Sequence, residues 1–531
     1  MPKFERDDFL RATALLEAIA EDRTVLAALD EEARVALLRA AGVVSRPTRH
    51  ELQRASKPFR RIEAKKKRDA DREAIESTGI RAARQADVFV APAALPPRDA
   101  AADAARDSEP AAAMGPELAT ARACYVCKVE YRRLHHFYDA MCERCGDLNY
   151  AKRFQSASLA GRTALITGAR VKIGFQAALM MLRAGARVIV TTRFPRDAAA
   201  RFAREPDFAA FADRLVVYGL DLRHAPSVEL FARHLEATEA RLDILINNAA
   251  QTVRRPPGFY AHLLERETCD ISALGDGERH VLRGHEALAA RLSEGPARLS
   301  SHAGGDGRDA TDAAPGAGIV GFRGAGPGLG IRASAALSQV ASAYDDPSRD
   351  EEHFPDGARD ADLQQVDLRL QNSWRLKLAE VPSPEMLEVQ LVNAVAPFIL
   401  CSKLKPLMTR DRTNEKHIVN VSAMEGQFSR GTKTDKHPHT NMAKAALNMM
   451  TLTSAPDYAA SGIFMNAVDT GWVTDEDPAV HATRKRDALG FQPPLDIVDG
   501  AARICDPFFS GLLTGVHVYG KFLKDYAPTS W

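Results

Sequence analysis

The stretch TALITGARVKIG, residues 163–174, decides how this chain is read. An apolar run of strand type ends in Gly168, and a second glycine, Gly174, opens a segment of helical period, FQAALMMLRAG. A strand that turns through glycines straight into a helix brings the backbone close to whatever lies above the turn. The helix N-terminus there favours negative charge. Such a turn alone is a weak signal, so its surroundings carry the weight.

Those surroundings alternate. ARVIVTTR, LVVYGLDL and LDILINNAA read as further strands with helical segments between them. After a long interruption come the helix LEVQLVNAVAPFILCSKL, the strand KHIVNVSA, the helix HPHTNMAKAALNMM, the strand GIFMNAV and a C-terminal tail. Strands separated by helices predict an α/β fold, a Rossmann-like doubly wound parallel sheet covered on both faces.

Working outward, residues 155–531 form this domain, with a long insertion at about 262–375. The insertion lacks strong periodicity. Its Gly-, Ala- and Asp-rich piece SSHAGGDGRDATDAAPGAGIVGFRGAGPGLG reads as disorder or a surface excursion, whereas FYAHLLERE and QQVDLRLQNSW are expected to be ordered and to cover a substrate. Residues 1–90 read as an α-helical N-terminal region, capped by Asp7 or Asp8 and later ended by Gly42, with a mixed-charge helical stretch over 48–86. Residues 91–120, rich in Ala, Pro, Asp and Glu, read as a flexible linker.

Residues 121–150 carry Cys124, Cys127, Cys142 and Cys145 in the spacing C-x2-C-x14-C-x2-C. Two such knuckles place four thiolates around one Zn2+ and leave no open coordination position, which indicates a structural metal rather than a catalytic one. His135 and His136 lie between the knuckles but are not needed to complete the set. The small zinc module is expected either to staple its own loops or to offer a surface to a protein partner.

Bulk composition excludes several classes. Of 531 residues, 71 are Lys or Arg and 70 are Asp or Glu, so no net field argues for nucleic acid or an anionic membrane surface. The sequence offers no obvious run of about 18 apolar residues, so no membrane association is expected. The charged start MPKFERDDFLRA does not read as a signal peptide, and a cytoplasmic location is the expectation.

The ends of the strands carry a further series: Asp221-Leu222, Asn247-Asn248-Ala249-Ala250, Asn420-Val421-Ser422 and Asp469-Thr470-Gly471, with Asn393 and Lys444 in helices. In this order the residues resemble the short-chain dehydrogenase/reductase family, over about 158–260 and 375–531. The resemblance implies that Gly168, Ile173 and Gly174 line a dinucleotide pyrophosphate. Asp221 and Leu222 would flank adenine, Asn248 and Ala249 the ribose and nicotinamide side, and Thr470 and Gly471 the last strand end. Lys444 would hold the nicotinamide ribose.

The strand ARVIVTTR runs into Arg193 with no acidic residue to take a ribose 2′-hydroxyl, and Arg170 lies in the glycine turn. Two arginines without a carboxylate suit a 2′-phosphate, so NADP(H) is favoured over NAD(H). Lys172 stands where the family usually has its second glycine. Pteridine reductases of this family tolerate a basic residue there, which makes Lys172 an expected phosphate contact.

The resemblance departs from the family pattern at the chemistry. The family serine falls on Ala423, with Ser422 one place early and on the other strand face. The family tyrosine falls on Thr440, whose aliphatic hydroxyl is a far weaker acid than a phenol of pKa about 10. Lys444 and Asn393 match the family lysine and helix asparagine. The tyrosine–lysine spacing of the family's enoyl reductases lands instead on His437. His437 or His439 is therefore the candidate proton donor. Two readings follow. One is an NADP(H)-dependent oxidoreductase acting on a small carbonyl or enone substrate with non-standard catalytic residues, expected to be a homo-oligomer. The other is a catalytically inactive dinucleotide-binding sensor or scaffold.

Overall fold

The computed structural model describes residues 4–86, 88–90, 115–293, 326–341, 346 and 350–531. Two compact units divide the chain at Asp71/Arg72.

The first unit is helical. Helix Arg6–Glu21 starts at a capping box in which the Glu5 amide donates to Asp8 at 3.0 Å. Asp30 caps the next helix, Glu31–Ser45, by accepting from the Ala33 amide at 2.7 Å. That helix passes through Gly42, expected to end it, because Gly42 is tolerated inside a helix whose neighbours are Ala and Val. The mixed-charge stretch forms helix Arg49–Glu76.

The second unit opens with a cysteine-bearing hairpin, β1 (Glu117–Ala123) and β2 (Glu130–Arg133). Strand β1 thus begins inside the segment read as a linker; residues 91–114 lie outside the described ones. An eight-stranded sheet follows. It contains β3 (Thr163–Thr167), β4 (Arg187–Thr192), β5 (Leu215–Gly219), β6 (Ile244–Asn247), β7 (Lys416–Ser422), β8 (Ile463–Asp469), β9 (Phe522–Lys524) and β10 (Ala527–Thr529). Their spatial order is β5-β4-β3-β6-β7-β8-β9-β10, parallel throughout except the last pair. The order reverses beside β3, and this switch point is where α/β sheets bind ligands, at the C-terminal strand ends. Every residue of β3 and β7 is buried, as a sheet covered on both faces requires.

Two apolar layers cover the sheet. Helices Lys172–Arg183 and Ile497–Thr514 close one face with Leu179, Met181, Phe508 and Phe509. Helices Ala225–Thr238 and Ala396–Thr409 close the other with Phe231, Leu235, Leu400 and Leu404. The continuous helical run Ser383–Thr409 is long and apolar enough to cross a membrane by length and composition, contrary to the sequence reading. Here Leu400, Leu404, Leu407 and Met408 are core residues against the sheet.

Two regions differ from expectation. Within the insertion, Asp276–Ser293 is an 18-residue helix that buries Val281, Leu282, His285 and Leu288, a helical stripe masked by three arginines and two glycines. Residues 294–325, most of the Gly-rich piece, lie outside the described residues. The segment read as a tail contains helix Ile497–Thr514, β9 and β10. That helix is buried nearly all round, so it shows no amphipathic period, and it contains Gly500, Pro507 and Gly511.

Candidate active site

The glycine turn is built for close approach. Gly168 has φ +69°, and a Cβ there would sit 2.8 Å from the Ala249 backbone; one on Gly174 would sit 2.4 Å from the Asn248 side chain. Asn248 Nδ2 donates to the carbonyls of Thr167 and Gly168, each at 3.0 Å, and the Thr167 hydroxyl accepts the amides of Asn248 and Ala249. The loop after β6 is thereby pinned to the turn after β3. Ile173 and Gly174 occupy the first turn of helix Lys172–Arg183.

Lys172 adopts the left-handed conformation, φ +56°, that the usual glycine would take without strain. Its Nζ lies 3.9 Å from Asp362 of the insertion. The Asp362 and Leu363 carbonyls accept from Arg201, and Gln364 approaches Arg170. The insertion therefore crosses directly over the glycine turn.

Arg170 and Arg193 are brought to the same place. Their guanidinium carbons lie 5.4 and 5.6 Å from the centre of the Phe194 ring, just after β4. Both have protein partners: Arg170 pairs with Asp197 at 2.7 Å, and Arg193 donates to the Tyr260 hydroxyl at 2.6 Å. Asp197, five residues past the strand, was not anticipated from the sequence. Asp221 is buried and accepts from Arg223 at 2.7 Å, so its carboxylate is turned into the protein while Leu222 is buried beside it. Burial would raise Asp221, but Arg223 holds it below the usual carboxylate range.

At the other end of the site, Lys444 is buried in helix Pro438–Ala459 and donates from Nζ to the Val421 carbonyl at 2.8 Å. Burial lowers its ammonium from the ordinary 10.5 to about 8, against the opposing pull of Glu425 and Asp469. Between these values the unfolded chain binds more protons than the folded one. Stability should therefore rise with pH over that window, while the charged form disappears. Any ligand anchored by the Lys444 ammonium should weaken as pH rises past about 8. In Lys444→Arg that alkaline limb should vanish, which a pH series of binding titrations would show.

Asn393 sits in a π-helical turn, Leu391–Val395. Its Oδ1 accepts from the Gln251 amide at 2.7 Å, and its Nδ2 donates to the Gln251 carbonyl at 3.3 Å. It thus fixes the loop after β6. Thr440 is buried, and its hydroxyl has no hydrogen-bond partner among the described residues. Ser422 points away from the strand end, donating to Asn448 at 2.5 Å.

The two histidines part company. His439 is buried, with Nε2 3.2 Å from Glu385 in a geometry unsuited to a hydrogen bond, at the contact with helix Ser383–Gln390. His437 precedes the helix in a left-handed conformation, φ 42°. Its ring stacks on Trp374 at 3.9 Å and 6°, and Nδ1 meets the Asn441 side chain at 3.1 Å. Burial lowers its pKa, with Glu425 opposing. His437 lies at the start of the helix that carries Lys444, but outside its regular turns. Glu425 acts electrostatically on both.

Three participants escaped sequence reading. Glu425 lies in the turn after β7 and pairs with Arg430 at 2.7 Å; its adjacency to the serine position was the available signal. Trp374 belongs to a strap from the insertion. Beside it, Asn372 donates to the Glu476 carbonyl, Arg375 meets Asp477 at 3.3 Å, and Leu376 accepts from the His437 amide. The strap joins the loop before helix Pro438–Ala459 to the loop after β8. Arg254 anchors the strap's base, contacting Glu388 at 3.1 Å and Asp346 at 2.5 Å.

The four cysteines converge: their sulfurs all lie within 4.8 Å of one another. Cys127 and Cys142 sulfurs are 3.7 Å apart, close to the roughly 3.8 Å edge implied by Zn–S bonds of about 2.3 Å in a tetrahedron. The Cys142 amide points at the Cys124 sulfur at 3.3 Å, and the Val129 amide holds the Cys127 thiol down to about 7. The cluster fits a chelated metal.

Residues 162–268 match the short chain dehydrogenase family model, and residues 371–490 match the enoyl-(acyl carrier protein) reductase model. These two segments flank the insertion. Both matched segments are similar to the short-chain dehydrogenase/reductase family, and the parallel sheet with its glycine turn has the fold of that family. An uncharacterized protein of Acanthamoeba polyphaga mimivirus is 29% identical over 400 residues, covering 73% of this chain and 71% of that protein. Dehydrogenase/reductase SDR family member 13 of Bos taurus is 43% identical over 94 residues, 18% of this chain and 24% of its own length. Mouse retinol dehydrogenase 11 is 30% identical over 148 residues, 27% of this chain and 43% of its own length. Among solved structures, the Pseudomonas aeruginosa RhlG/NADP complex aligns over 69% of this chain and 95% of its own, at 18% identity and TM-score 0.39.

Proposed function

We propose that this chain is an NADP(H)-dependent oxidoreductase acting on a small carbonyl or enone compound, with a structural Zn2+ in its cysteine cluster. The observation that carries the reading is buried Lys444, which keeps its ammonium at the end of β7, against Val421, with a buried Thr440 hydroxyl, unpartnered among the described residues, one turn away. Burying an ammonium is unfavourable unless something binds it. A nucleotide ribose is the ligand that this position suits.

When bound, NADPH supplies the hydride. The protein's own work is to orient, to exclude water and to place a proton. Gly168 and Gly174 allow the pyrophosphate to approach the backbone, with Lys172 as its cation. Arg170 and Arg193, gathered around Phe194, suit a 2′-phosphate, which would compete with Asp197 for Arg170. The strap holding Trp374 closes the cleft over His437. His437 is the proton donor favoured here, because it opens the helix that carries Lys444 and shares the neighbour Glu425 with it; His439 faces Glu385 instead. Exposed Leu387, Phe398, Met442 and Met449 on the two long helices go with a homo-oligomer.

Turnover of a carbonyl and enone panel with NADPH tests the activity. Oxidation of NADPH by at least one compound supports it; bound NADPH with no turnover at any pH would favour the sensor reading. Lys172→Gly separates strain from binding. It should raise stability by about 1 kcal/mol by removing the left-handed lysine, yet weaken NADPH binding. A variant that gains stability with unchanged affinity would remove Lys172 from the phosphate site.

A further inference from the structure

The cysteine cluster does not stand apart from the dinucleotide site. Its hydrophobic core joins Cys124, Met141 and Tyr138 to Val473 and Leu495, and Ile173 packs against the same group. Ile173 belongs to the glycine turn, and Val473 to the loop after β8. A Cβ placed on Gly500 would touch both, at 2.9 and 3.3 Å, so the two segments meet on one helix under the cluster. Tyr125, between the first two cysteines, makes the direct link. Its hydroxyl accepts the Trp472 amide at 3.0 Å and lies 3.2 Å from where a Cβ on Gly471 would sit. Gly471 has φ +77°, and its amide is held by Asp469 at 3.2 Å. Lys524 contacts Asp469 at 3.6 Å and lies over the Tyr125 ring at 5.5 Å.

The second pair of cysteines is anchored as firmly. Helix Glu143–Arg153 begins at Cys142, and its last residue, Arg153, binds Asp496 and Asp499 at the start of helix Ile497–Thr514. Asn149 accepts from Arg503 of that helix at 2.6 Å. Both knuckles are thus tied to elements that end at the site.

We infer that metal binding at the four cysteines and dinucleotide binding at the strand ends are coupled, with Tyr125 as the positioning residue between them. The knuckle needs the metal to hold Cys124 and Cys127 together, and Tyr125 is fixed by both neighbours. With the metal present, its hydroxyl sets the Gly471-Trp472 backbone where the last strand end must receive the cofactor. Without it, Tyr125 is released and that loop loses a hydrogen bond and part of its apolar backing. By linkage, each ligand should strengthen the other by the same factor. This rests on the proposed dinucleotide and zinc reading.

The full chain is to be compared as isolated, after zinc removal by a chelator, and as Tyr125→Phe. The readouts are zinc content, NADPH fluorescence titration, and hydrogen exchange of the peptides covering 469–474 and 172–176 without nucleotide. Zinc removal should weaken NADPH by about tenfold or more and speed exchange in both peptides. Tyr125→Phe should keep its zinc and weaken NADPH about fivefold, the effect of one hydrogen bond. Unchanged exchange and affinity in both preparations would overturn the coupling, as would zinc-free native protein. If NADPH fails to bind at all, the proposed function falls, while the exchange arm still decides whether the knuckle holds the loop.

Discussion

Lys444→Ala is expected to lower turnover of any accepted substrate by at least about 100-fold, a scale typical of losing one positioned group in proton-transfer chemistry. Lys444 and Asn393 match the family's lysine and helix asparagine, whereas the serine and tyrosine positions hold Ala423 and Thr440. Its ammonium is buried and touches the Val421 carbonyl at 2.8 Å. Removing it also removes an unfavourable desolvation, so the fold should survive the change with stability near wild type. Affinity for NADPH should fall along with turnover, because in the proposed reading the same group holds the ribose. A variant that retains turnover would show that the chemistry lies elsewhere, and one that loses turnover but not affinity would confine Lys444 to the chemical step.

The second large effect is structural. Arg153 has no exposed side-chain surface and binds two buried carboxylates, Asp496 at 2.7 Å and Asp499 at 2.9 Å. Asp499 also accepts from the Tyr138 hydroxyl at 2.5 Å, and Asp496 caps helix Ile497–Thr514 through the amides of Val498 and Asp499. Arg153→Ala leaves two carboxylates buried without their cation. A loss of roughly 3–5 kcal/mol in denaturant unfolding is expected, the usual result of breaking a buried pair from one side. Adding Asp499→Asn to that variant should recover part of the loss, since one uncompensated charge is then gone. A single variant within 1 kcal/mol of wild type would mean that water reaches the cluster and that the cysteine region is less tightly joined to the sheet.

The central sheet was legible because each of its first six strands is an apolar run ended by a small or polar residue, and β3 through β8 fall where the pattern put them. Helix Asp276–Ser293 was obscured by its arginines, and helix Ile497–Thr514 by being buried on all sides. Strands β9 and β10 are three residues each, too short to show a period. At the site, spacing pointed to the glycine turn and the four cysteines, and the family resemblance to Lys444 and Asn393. It could not show that Arg170 pairs with Asp197, that Asp221 is held by Arg223, or that Trp374 stacks on His437, because such pairings are set by packing. Nor could it show Tyr125 reaching Trp472.

The dinucleotide reading is most directly tested by titrating the purified full chain with NADPH and with NADH while following cofactor fluorescence. Saturable binding with NADPH tighter than NADH is the expected result, carried by Lys172, Arg170 and Arg193. Failure of both nucleotides to bind would contradict the account at its centre, leaving a dehydrogenase fold without its cofactor.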